Sequence, residues 1–100
     1  MSFTIRKVKD LEHAIELVKK ANVTVTWDIC FEKNLELSER FFNFYKPIVF
    51  IYKNENLIGT AYNKLGSPVV IGLDDTVTTS KYTKKQLNEI DINIRQIELF

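Results

Sequence analysis

Four groups of residues in this chain have types that could carry chemistry. They are the carboxylate pair Asp74-Asp75, the lone histidine His13, the lone cysteine Cys30, and the segment Lys81-Tyr82-Thr83-Lys84-Lys85. Paired carboxylates after an apolar run could hold Mg²⁺ for phosphoryl transfer, provided other oxygen ligands joined them. Asp28 and Glu32 are the nearest candidates, and their spacing does not place them beside Asp74. Gly72-Leu73-Asp74-Asp75 is equally the composition of an ordinary turn. His13, Asp28 and Cys30 have the types of a base, an orienter and a nucleophile. Asp28 and Cys30 share one face of an alternating segment, but nothing brings His13 to them, and Cys30 has no local signature of an activated thiol.

With one histidine, one cysteine and three glycines, the chain lacks the residues for a paired-cysteine redox motif, a zinc cluster or a glycine-rich phosphate loop. The reading is therefore non-enzymatic, without cofactor or metal. The basic segment offers a different chemistry. Lys81, Lys84 and Lys85 would meet phosphates while Tyr82 stacks on a base. A net charge of +1 gives no global attraction to nucleic acid, so any such contact must be local.

The oddest local feature is Phe41-Phe42-Asn43-Phe44-Tyr45. Aromatics at these positions cover more than one helical face, and one sheet hides one side of a helix. Phe42 and Tyr45 are accordingly read as core plus partner interface, a setting in which aromatics are enriched. The hydroxyl-rich face Thr24, Thr26 and Asp28 would suit a partner strand added at a sheet edge. Together these features point to a small protein-binding module that acts by occluding a partner protein. Inhibitors, immunity proteins, antitoxins and viral counter-defence proteins work in this way, and a homodimer is a further option. The alternative is a small nucleic-acid-binding protein.

The elements that must position these residues follow from periodicity. Residues 3–8 alternate as a strand. Asp10 caps a helix whose stripe is Leu11, Ala14, Ile15, Val18 and Ala21, with Asn22 as its stop. Val23, Val25, Trp27, Ile29 and Phe31 alternate with polar neighbours and predict a second strand. Residues 34–45 predict a helix that Pro47 ends. Ile48–Tyr52 is an unbroken apolar run, as in a central strand covered on both faces. Residues 53–56 form a hairpin loop, and 57–62 pair back with Gly59 at a bulge or close approach. Residues 64–68 turn, 69–73 form another strand, and 76–80 a short edge strand. Thr83 caps a final helix through Leu87, Ile90 and Ile94, fraying near Ile97, while Ile90, Ile92 and Ile94 fit a strand equally well.

The order is β-α-β-α-β-β-β-α. It makes one α+β domain over residues 1–100, with a mostly antiparallel sheet of about four to six strands and helices on one face. The hydrophobic fraction of 45% is too high for disorder. No apolar run is long enough to cross a membrane, and a single cysteine forms no internal disulfide, so the cytoplasm is the expected compartment. The frequent Ile, Lys and Asn fit an AT-rich viral or mobile-element genome.

Overall fold

The computed structural model describes residues 3–27, 42–43 and 47–98. It shows a small α+β domain with a four-stranded antiparallel sheet in the order β1-β2-β3-β4. The strands are β1 (Thr4–Val8), β2 (Ile48–Lys53), β3 (Asn56–Lys64) and β4 (Ser67–Gly72). Helix α1 spans Leu11–Ala21 and helix α2 spans Lys84–Glu98. A short 3-10 turn, Thr79–Lys81, leads into α2.

β2 organises the sheet. Its five apolar residues are all buried, and successive side chains enter opposite layers. Ile48, Phe50 and Tyr52 join Val8, Leu57, Tyr62 and Ile71 beneath α1. Val49 and Ile51 join Ala61 and Val70 beneath Ile90 and Ile94 of α2. The two helices therefore lie on opposite faces, not on one face as the sequence suggested. The continuous apolar run required this arrangement: with helices on one side only, Val49 and Ile51 would face water. Each such side chain contributes roughly 1.5–3 kcal/mol when fully buried.

Local chemistry sets the helix ends. The Asp10 side chain accepts from the His13 amide at 2.8 Å, and Asn22 closes α1 in the left-handed conformation at φ 53°. The buried face of α1 centres on Ala14 and Leu17, with Leu11, Val18 and Ala21 packed beside them. Leu17 replaces the expected Ile15, which is half-buried at the margin of the stripe. At the start of α2, Thr83 and Gln86 form a reciprocal capping box, amide to side chain in both directions at 2.9 and 3.2 Å. Polar clamps flank the apolar contacts of α2. Asn63 donates to Asp91 at 2.6 Å, and Lys7 donates to Gln96 at 2.9 Å. Ile92 is 46% exposed, so the isoleucines of this segment follow the helical period rather than the strand period.

Three expected elements differ. Residues 23–27 keep the burial alternation, with Val25 and Trp27 buried, but they form no ladder. They are tied across the end of β4 instead. The Thr26 amide and hydroxyl both donate to the Leu73 carbonyl, and the Trp27 indole N–H donates to the Gly72 carbonyl. Alternation reports which side chains are buried, not whether the backbone has a strand beside it. Residues 28–31 of that expected strand lie outside the described residues. So does the expected helix over 34–45, apart from Phe42 and Asn43, which are helical. The expected edge strand over 76–80 reduces to one bridge, Val77 to Ile71, before the chain tightens into the 3-10 turn.

Gly59 sits at the register shift between β2 and β3. A Cβ there would stand 2.7 Å from the Ile71 carbonyl oxygen of β4. Gly59→Ala should destabilise the domain by about 1–3 kcal/mol through overpacking against backbone, measured by urea denaturation. The β3–β4 turn is tighter than expected, with Leu65 and Gly66 both at positive φ, 52° and 87°, as in a type I′ hairpin. Leu65 is 98% exposed and has no packing to offset its backbone conformation. Leu65→Asn should stabilise the domain by about 0.5–1 kcal/mol in the same assay.

Candidate functional site

An open groove of about 520 Å³ lies where β4 ends and α2 begins. Its floor is apolar: Phe3 before β1, Ile58 at the bulge of β3, and Tyr82 at the cap of α2. Phe3 and Tyr82 meet edge to face, with ring centroids 6.4 Å apart and planes at 81°. Both also pack against the layer beneath α2. The rim is charged. Lys53 comes from the end of β2, Asp74 from the turn after β4, and Lys81 from the 3-10 turn.

The sequence candidates around residues 74 and 81–82 are thus brought to one place. The fold does this by folding residues 76–78 back along β4. Gly72 donates to the Thr76 carbonyl at 2.8 Å and Thr78 donates to the Val70 carbonyl at 2.7 Å. The Thr78 and Thr79 hydroxyls then bind the two backbone groups of Val70. This pins the 3-10 turn, and with it Lys81, to the sheet edge. Lys84 and Lys85 are exposed on the first turn of α2 and do not line the groove. Phe3, Lys53 and Ile58 went unnoticed in the sequence. They lie far apart in the chain, and only the sheet register sets them together.

Two titrating groups of the groove are shifted from their ordinary values. Asp74 accepts from the Thr76 hydroxyl and from the Thr76 amide, the latter at 3.2 Å. These bonds, with a smaller contribution from Lys81, hold its carboxyl below the ordinary 3.8 despite slight opposition from burial. Burial raises the Tyr82 phenol above its ordinary 10.0. Near neutral pH, Asp74 is therefore a fixed anion and Tyr82 a fixed neutral hydroxyl. Neither is poised to exchange a proton with a substrate, whereas both suit recognition.

The other candidates fall elsewhere. The His13 ring nitrogen Nδ1 accepts from the Lys9 amide at 3.2 Å, which makes His13 part of the cap of α1. Phe42 is 5% exposed and packs in the layer beneath α1, the core half of the reading made for it. Asp28, Cys30 and Tyr45 lie outside the described residues. Thr24 and Thr26 are exposed, and Thr26 is bonded to Leu73, which itself lines the groove. Tyr82 is half-buried and meets the Phe3 ring edge to face. Among the described residues no three His, Cys, Asp or Glu side chains gather as metal ligands would, and no helix is long and apolar enough to cross a membrane.

Asp74 has a lowered native pKa, so its stabilising contribution is present above 3.8 and is lost as pH falls through the native value. Thr76→Val should remove the dominant hydrogen bond and move the Asp74 titration midpoint upward, read by carboxyl NMR titration. An unmoved midpoint would mean that the threonine is not the cause. No family model, curated protein or solved structure matches this chain, so the functional reading rests on the groove itself.

Proposed function

We propose that this chain is a non-enzymatic protein-binding module that acts by occluding a partner protein, in the manner of an inhibitor, immunity protein, antitoxin or viral counter-defence protein. The observation that supports this most is the composition of the groove. Half-buried Phe3, Ile58 and Tyr82 give it an apolar surface, and the charged Lys53, Asp74 and Lys81 line it beside them. Apolar centres with polar rims are the anatomy of protein interfaces. The exposed hydroxyls of Thr24 and Thr26 extend the same end of the molecule with further hydrogen-bonding groups. We assign the module to the cytoplasm, because a chain with the single cysteine Cys30 has no internal disulfide to gain from an oxidising compartment.

The test is affinity capture by the tagged chain from native lysate, with and without nuclease. The expected result is one protein recovered stoichiometrically in both samples. Ile58→Ser should leave the circular dichroism spectrum unchanged and cut that recovery about tenfold, as truncation at the centre of an interface does. Recovery that vanishes with nuclease would transfer the function to nucleic acid and to Lys81, Tyr82, Lys84 and Lys85. A second copy of the chain as the sole recovered protein would make it a homodimer.

A further inference from the structure

The groove also carries information about what fills it. Three of its properties bear on the occupant. The first is shape. At about 520 Å³ it has the size of a ligand pocket, but it is only partly enclosed. Small-molecule sites enclose most of their ligand, and an open groove does not. It suits a segment of a larger partner, which brings its own binding surface on either side.

The second property is the floor. Phe3, Ile58 and Tyr82 are half-buried and give the groove an apolar contact surface. Tyr82 keeps its phenolic proton, so the floor adds no charge of its own.

The third property is charge, and it decides the chemistry. Asp74 and Lys81 offset each other across the rim, and Thr76 supplies the remaining hydrogen bonds of Asp74. Lys53 stands apart from this pair. It is half-buried and forms no ion pair among the described residues. Lys53 lines the groove beside apolar Phe3 and Ile58, and its ammonium favours an incoming carboxylate over an incoming cation. The local balance of the lining, two lysines against one aspartate, has the same sign.

We infer that the groove docks a peptide segment of a partner protein in which an apolar side chain is followed or preceded closely by Asp or Glu. The apolar side chain packs against Ile58 and the joined rings of Phe3 and Tyr82, and the carboxylate meets Lys53. This inference rests on the protein-binding reading above and names the partner's recognition chemistry.

The experiment is selection of displayed random heptapeptides on the immobilised full chain, followed by fluorescence polarisation with the synthetic winners. Enriched peptides should pair Leu, Ile, Phe or Trp with a nearby Asp or Glu. Lys53→Glu should weaken them about tenfold, and Lys53→Met, which keeps most of the apolar stem, should weaken them less. Lys20→Glu, on the exposed side of α1, should leave the affinity unchanged. Enrichment of basic or uncharged peptides, binding indifferent to Lys53→Glu, or no enrichment at all would overturn the inference. Lysate capture by the Lys53→Glu chain separates the two proposals. A nuclease-resistant partner that Lys53→Glu still holds at full strength leaves the protein-binding reading standing and removes the acidic segment from it.

Discussion

Ile48 to Tyr52 sends alternating side chains into two separate apolar layers, so neither helix can leave without exposing one face of the same strand. β1 and β3 are hydrogen-bonded to either side of this strand; β3 shares its burial, whereas β1, at the sheet edge, buries only Val8 fully. The bulge at Ile58 and Gly59 is a local consequence. The β2–β3 pairing steps from Ile51–Gly59 to Tyr52–Leu57, which leaves Ile58 in the layer beneath α2. That is the residue at the floor of the groove. The core and the candidate site therefore share a cause, because the strand that demands a second helix also sets the register that presents Ile58.

The groove forms at the one place where α2 begins over the sheet. Here a Cβ added at Gly72 would stand 3.3 Å from the Thr78 methyl and in ordinary contact with Asp74 and Thr76. The turn after β4 is held shut by backbone bonds from Gly72 and Thr78 and by the cap on Asp74. A recognition surface gains from such rigidity, since side chains already ordered lose less entropy on binding. The capping box of Thr83 and Gln86 does the same for α2. Gln86 lines the groove while its carbonyl is committed to the Thr83 amide.

Where a feature depends on near neighbours in the chain, the sequence revealed it. The caps at Asp10 and Thr83, the stop at Asn22, the double burial of 48–52 and the close approach at Gly59 each follow from a few adjacent residues. Features that depend on how distant segments meet stayed hidden. Val23, Val25 and Trp27 alternate as strand residues do, yet the indole bond to Gly72 and the Thr26 bond to Leu73 replace a ladder. The burial of Phe42 was ambiguous because an aromatic cluster has the same sequence pattern in a core and at an interface. Asp74 and Lys81-Tyr82 were visible as separate candidates. Their meeting with Phe3, Lys53 and Ile58 required the sheet register, and no local pattern encodes it.

Hydroxyl-radical footprinting of the captured complex would show whether a partner contacts the groove between β4 and α2. Aromatic rings are strong reporters of accessibility, and Phe3 and Tyr82 sit on the groove floor. The account predicts that oxidation of Phe3 and Tyr82 falls several-fold on complex formation while Leu65, on the β3–β4 turn, stays as reactive as in the free chain. Unchanged oxidation at Phe3 and Tyr82, with protection elsewhere in the chain, would contradict it.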